Sequence, residues 1–240
     1  MLKSDALTKR FGDRTALDGL DLEIQAGEVY CLLGANGAGK STTIKLFLGF
    51  LKPTSGRALV DGIDVVLDPL GARRRLLYIP ELVALHDELT GFENLRYFAT
   101  LAGIEDASPS RLRACLADAG LQAAAVDRRA ATYSKGMRQK VGVALAIAKE
   151  ARVLLLDEPT SGLDPQASAE FHDLVARRRD AGAAVLMATH DLFRARQVAD
   201  RIGIMRAGRL VRSLEAGVLS AQQLESAYLE AMAAETAQVA

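Results

Sequence analysis

Gly34-Ala35-Asn36-Gly37-Ala38-Gly39-Lys40-Ser41 stands between a short apolar run, Val29-Tyr30-Cys31-Leu32-Leu33, and a stretch that opens as a helix at Gly39 and Lys40. The order strand, glycine-rich loop, helix lets consecutive backbone N–H groups curl around a phosphate, with the partial positive charge of the helix N-terminus behind them. Lys40 is then placed to reach β- and γ-phosphate oxygens, and the Ser41 hydroxyl to bind Mg²⁺. Gly34, Asn36, Gly37, Ala38, Gly39, Lys40, Ser41 and Thr42 are the candidate phosphate contacts. Taken alone, the loop establishes nucleotide phosphate and nothing more.

Working outward, residues 153–156 and 183–188 are also continuous apolar runs, the habit of strands covered on both faces in a parallel sheet. A second helix follows the first of these runs near Pro165, with Asp164 as its N-cap. Strands alternating with helices predict a doubly wound α/β core. Leu20, Leu22 and Ile24 alternate with polar residues, and residues 57–66 form another alternating stretch, which predicts a small antiparallel sheet near the N-terminus. Between residues 82 and 149 the strand signals vanish. Thr90 with Glu93 makes a capping box, Ser108-Pro109 opens a further helix and Gly120 follows its last turn. That segment reads as an inserted helical subdomain. Residues 200–213, turning at Ala207-Gly208, read as a closing hairpin, residues 220–233 as an amphipathic helix, and 236–240 as a frayed tail. The organisation expected is one domain over residues 1–235.

A chain of 240 residues suits one substantial domain carrying an insertion. Its 50% hydrophobic and 25% charged residues describe an ordinary globular protein, and a net charge of +0 offers nothing to a polyanion. No apolar run approaches the ~18 residues that cross a bilayer, and no signal peptide opens the chain, so a cytoplasmic location is expected. Cys31 and Cys115 lie in apolar surroundings and are expected to be buried thiols.

The chemistry gathers at three further places. Val153-Leu154-Leu155-Leu156-Asp157-Glu158 is an apolar strand ending in two carboxylates. Beside the loop, Asp157 would hold Mg²⁺ through its water shell and Glu158 would polarise an attacking water. Tyr133-Ser134-Lys135-Gly136-Met137-Arg138-Gln139 puts a serine and a glycine at a helix start, where hydroxyl, amide and helix dipole favour an anion. This segment resembles the signature sequence of ATP-binding cassette proteins, and its position shortly before the Asp157 strand matches that family. Pro159-Thr160-Ser161-Gly162-Leu163-Asp164 resembles the family's loop at the dimer interface, and Thr189-His190-Asp191 its switch-histidine segment. Phe11 matches the aromatic on which the family stacks adenine, where tyrosine is more usual; the alternative for Phe11 is a core side chain. His86 and His172 have no such setting.

The resemblance spans Phe11 to about Leu229 and implies a RecA-like P-loop NTPase core, with an N-terminal antiparallel β subdomain and an inserted helical subdomain. It implies an ATPase using ATP and Mg²⁺, with Ser134 and Gly136 serving the ATP of a second subunit, Asp164 of the interface loop also at the nucleotide, and His190 contacting the γ-phosphate. Two copies would close head to tail, most simply as a homodimer. An integral membrane permease would be the partner, holding the chain peripherally at the inner face of the cell membrane. One departure stands out: Tyr78-Ile79-Pro80-Glu81 carries glutamate where the family usually has glutamine. Glu81 can ligate Mg²⁺ through an oxygen but cannot donate through an amide. Glu81, Lys135 and Met137, with the C-terminal run Leu224-Glu225-Ser226-Ala227-Tyr228-Leu229-Glu230, together resemble the exporter branch with separate membrane subunits. Two rival readings are weaker. A soluble cassette ATPase moving a nucleic-acid or ribosomal partner usually has two cassettes or long inserts, and a GTPase would show Asn-Lys-x-Asp, which is missing.

Overall fold

In the computed structural model, which describes residues 1–233, the run before the loop is a strand whose five residues are all buried. Side chains along a strand alternate between faces, so this one strand feeds two apolar clusters. Val29, Cys31 and Leu33 enter one, Tyr30 and Leu32 the other.

The elements follow as β1 (Leu2–Phe11), β2 (Arg14–Ile24), β3 (Val29–Leu33), α1 (Lys40–Phe47), β4 (Ser55–Val60), β5 (Ile63–Asp64), α2 (Pro69–Arg75) and β6 (Leu76–Ile79). Then come α3 (Gly91–Leu101), α4 (Pro109–Asp118), α5 (Ala123–Val126), α6 (Lys135–Ala148), β7 (Val153–Asp157), α7 (Pro165–Asp180) and β8 (Ala184–Thr189). The chain continues through α8 (Leu192–Val198), β9 (Arg201–Arg206), β10 (Arg209–Glu215) and α9 (Ala221–Ala233).

A six-stranded sheet has the order β10-β9-β3-β8-β7-β6, parallel throughout except for β10, which closes the edge as a hairpin with β9. A four-stranded antiparallel sheet, β2-β1-β4-β5, lies on one side. Its Leu2, Leu7, Leu17 and Leu20 pack with Ile44 and Phe47 of α1 and with Tyr30, Leu155 and Leu186 from one face of the large sheet. The opposite face meets the helices: Leu95 and Ala99 of α3, Leu112 and Leu116 of α4, Val141 and Ala144 of α6, and Phe171 of α7 share a cluster with Cys31, Leu154 and Met187. This is the α/β architecture expected, with both faces of the parallel strands covered.

Two details differ from the sequence reading. Residues 57–66 are two strands, because Asp61 at φ 51° and Gly62 at φ 80° reverse the chain so that β5 pairs back on β4. The short α2, capped by Asp68 through the Gly71 amide, carries Arg73, Arg74 and Arg75 in its last turn, where positive charge suits the carbonyl end. Elsewhere local rules hold. Glu93 N donates to Thr90 Oγ1 at 3.2 Å while Thr90 N donates to Glu93 Oε2 at 2.8 Å, closing the capping box of α3. Gly120 ends α4 at φ 72°. The hairpin turns at Ala207 and Gly208, and α9 covers the helix predicted over 220–233. The tail predicted at 236–240 lies outside the described residues. Cys31 and Cys115 are buried free thiols. No helix among the described residues is long and apolar enough to cross a membrane.

Candidate functional site

The glycine-rich loop leaves the C-terminal end of β3, the end at which parallel α/β sheets collect ligands. A Cβ on Gly34 would stand 2.5 Å from the Met205 carbonyl oxygen of the neighbouring β9, so only glycine fits where the loop begins. Gly39 caps α1 at φ 112°, a conformation that side chains resist. Directly after Gly39, Lys40 is 6% exposed and folds back over the loop, donating to the Gly34 carbonyl at 2.6 Å and the Ala35 carbonyl at 3.2 Å. Burial pushes its ammonium below the ordinary lysine range, while Glu158 and Asp157 push it back up. A phosphate replacing those two carbonyls would restore to this buried cation a full counter-charge.

Asp157 ends β7 and accepts from the Ser41 hydroxyl at 3.3 Å. Burial raises its carboxyl above the usual range, the Ser41 bond opposes this, and repulsion from Glu158 adds to it. Glu158 has the left-handed φ of 46°, and both of its carboxylate oxygens are engaged. Thr189, the last residue of β8, donates its hydroxyl to Oε2 at 3.0 Å, and His190 Nδ1 lies 2.8 Å from Oε1. β7 and β8 are adjacent, so sheet pairing itself brings the acid and the histidine together.

Lys40, Ser41, Thr42, Asp157, Glu158 and Glu81, with Asn36, Gly37, Ala38 and Gly39, line one cleft of about 490 Å³. That volume is in the range of small-molecule sites. Arg14, Ala16 and Tyr78 also line it, and sequence reasoning missed them. Arg14 follows the Phe11 hairpin turn, so its sequence signal was proximity to the aromatic. Phe11 itself is 48% exposed with Lys9 Nζ 4.9 Å from its ring centroid, which excludes the core alternative; it stands outside the cleft lining. Glu81 carries its carboxylate 3.6 Å from Lys135 Nζ.

Like Phe11, the predicted residues Gly34 and His190 stand just outside the cleft lining, and Ser134, Gly136 and Asp164 are elsewhere. Ser134 caps α6 by accepting from the Met137 amide at 3.3 Å, Gly136 is in the first turn behind it, and Asp164 caps α7 by accepting from the Ala167 amide at 2.8 Å. None of the three lines the cleft of its own chain. His86 meets Tyr97 edge-on and stacks on Phe98, and half-buried His172 is held below the ordinary histidine range by desolvation; neither touches the cleft.

The sequence matches the family described as ABC transporter over residues 17–161. It is 40% identical over 218 residues to the daunorubicin/doxorubicin resistance ATP-binding protein DrrA of Streptomyces peucetius, covering 91% of this chain and 66% of that protein. It is 36% identical over 223 residues to the probable multidrug ABC transporter ATP-binding protein YbhF of Escherichia coli, covering 92% of this chain and 38% of that one. The chain therefore spans about two thirds or less of the length of these relatives. Among solved structures, an ATP-binding subunit of an ABC transporter superposes with a TM-score of 0.85 at 31% identity, covering 97% of this chain and 99% of that one. A dimeric ATP-binding cassette in a post-hydrolysis state with ADP and Pi superposes with a TM-score of 0.79 at 26% identity, covering 90% and 99%. With the loop, the carboxylate pair and the histidine gathered as described, the chain belongs to the ABC transporter family and carries its ATP-binding cassette.

Proposed function

We propose that this chain is the ATP-hydrolysing subunit that powers a separate membrane permease through ATP-driven head-to-tail dimerisation, in the direction of export. One observation carries the reading: Lys40, Ser41, Asp157 and Glu158 line one cleft and His190 touches Glu158, while Ser134 and Gly136 stand at a helix start outside it. A helix N-terminus with an exposed serine suits the phosphate of a nucleotide held by a second copy. Each site is then built from two chains, and closing the dimer is the output.

The residues at the cleft fit Mg²⁺. A hydroxyl and a carboxylate already share a contact at Ser41 and Asp157, and hard oxygens of this kind, with phosphate and water, make up its usual shell. Ser41, Asp157 and Glu81 are the residues that would hold it. When bound, the ion supplies charge neutralisation at the phosphates. The chain's own groups do the rest. Lys40 binds phosphate oxygens, Glu158 takes the proton of the attacking water, and Thr189 and His190 orient that carboxylate. The contact to Glu158 occupies Nδ1 of His190, leaving the other ring nitrogen for a phosphate oxygen.

Export is supported by the relatives named for drug resistance and multidrug transport. Residues 82–149 act as an inserted helical subdomain in this reading. An apolar cleft of about 260 Å³ between β6 and that segment, lined by Leu77, Ile79, Val83, Leu95, Phe98 and Leu145, suits a permease segment docking beside Glu81. Through that contact the chain would sit peripherally at the inner membrane face. The test is capture of the tagged chain from membranes of its own host. Recovery of a multi-span membrane protein that changes its ATPase rate is expected; recovery of ribosomes or nucleic acid instead would overturn the reading.

A further inference from the structure

Lys135, the first residue of α6, does not point away with the segment it belongs to. Its Nζ lies 3.6 Å from Glu81 Oε1 and donates to the Ser161 carbonyl. One turn further along α6, Gln139, 1% exposed, donates to the Pro159 carbonyl, and from α8 Arg194 donates to the Thr160 carbonyl. Three consecutive carbonyls directly after Glu158 are therefore held by side chains, two of them from the signature helix. Glu81 meanwhile lines the same cleft as Lys40, Ser41 and Asp157.

Where the family usually has glutamine this chain has Glu81, and its carboxylate stands within ion-pair distance of the Lys135 ammonium. The lysine side chain is 22% exposed and the glutamate 53%, so water screens the contact without removing it. We propose that Lys135 is a positioning residue: in the empty chain its pairing with Glu81 ties the signature segment to the cleft of its own subunit, and a Mg²⁺-nucleotide releases that tie by taking Glu81. Filling one site thus frees the segment offered to the other. The inference rests on the two-chain site proposed above.

The physical consequence is a linkage. A ligand that must break the pair binds more weakly than it would without the pair, by the factor the pair is worth. An exposed ion pair of about 0.2–1 kcal/mol corresponds to roughly 1.4- to 5-fold in affinity. Removing the lysine charge should therefore tighten Mg²⁺-ATP binding by about that factor. The gain should vanish without Mg²⁺ and vanish when Glu81 has no charge. A lysine that merely supports the Ser161 carbonyl would show neither dependence.

The experiment titrates a fluorescent ATP analogue into four chains, all carrying Glu158→Gln so that nucleotide is not consumed. They are the parent, Lys135→Gln, Glu81→Gln and the double variant, each measured with Mg²⁺ and with EDTA, at chain concentrations that keep it monomeric. Lys135→Gln keeps a donor for the Ser161 carbonyl while removing the charge, and Lys135→Met serves if it fails to fold. Tighter binding on losing Lys135, seen only with Mg²⁺ and only beside Glu81, is the expected result. An equal effect in both backgrounds, or none in either, would overturn the proposal. Light scattering of the parent with ATP keeps the two claims apart: a parent that binds ATP but never associates sinks the two-chain site, whatever the titration shows.

Discussion

Glu158 is the residue around which the site turns. Its left-handed backbone, at φ 46°, costs a non-glycine residue about 1–3 kcal/mol, a strain that the amide bond to the Ala188 carbonyl and the clamps from Thr189 and His190 sustain. Replacing the carboxylate by an amide in Glu158→Gln removes the proposed proton acceptor without changing shape. Hydrolysis should slow by roughly 10²- to 10⁴-fold with ATP binding retained, measured by phosphate release and nucleotide titration; an unchanged rate would reassign the base. Asp157 makes a second prediction. Its carboxyl pKa is raised, first by burial, so its favourable contribution to folding is complete below the unfolded pKa and is lost as pH rises through the folded one. At neutral pH the empty chain is thus strained by this charge. Asp157→Asn should raise the melting temperature at neutral pH, with the difference shrinking in acid, while weakening Mg²⁺-dependent ATP binding. The acid pair was legible because an apolar strand that ends in two carboxylates is conspicuous. The Thr189 clamp was not, because that bond joins residues 31 apart, brought together only by the pairing of β7 with β8.

At the scale of elements, what could be read was what is local. Thr90 with Glu93, Ser134 before α6 and Asp164 before Pro165 are caps whose partners lie three residues away, and all three form. Thr90 lies outside the cleft lining, so Thr90→Ala should cost only the cap, about 0.5–2 kcal/mol, seen as a lower urea midpoint with the slope and ATP affinity unchanged. A change in ATP affinity would mean that α3 is coupled more tightly to the cleft than its contacts indicate. The seven-residue α2 and α8 escaped the reading because two turns give too little periodicity to stand out. The turn at Asp61 and Gly62 escaped it because apolar alternation runs through on both sides.

At the scale of the molecule, continuous apolar runs announced a parallel sheet covered on both faces, but not its order. β3 lies between β8 and β9, strands that follow it by some 150 residues in sequence, and only the fold decides that neighbourhood. The same holds for the row of Gln139, Arg194 and Lys135 on the carbonyls after Glu158, and for Arg14 at the cleft mouth. Among the described residues, the proposed nucleotide cleft and the proposed anion-binding helix start at Ser134 stand apart. That separation is the reason to expect two chains per site. The most direct test is light scattering of the Glu158→Gln chain with and without ATP, beside the same chain carrying Ser134→Arg. The account predicts that ATP doubles the mass of the first, while the second binds ATP as a monomer and stays one. A first chain that binds ATP without associating, or a second that loses ATP binding altogether, would contradict it.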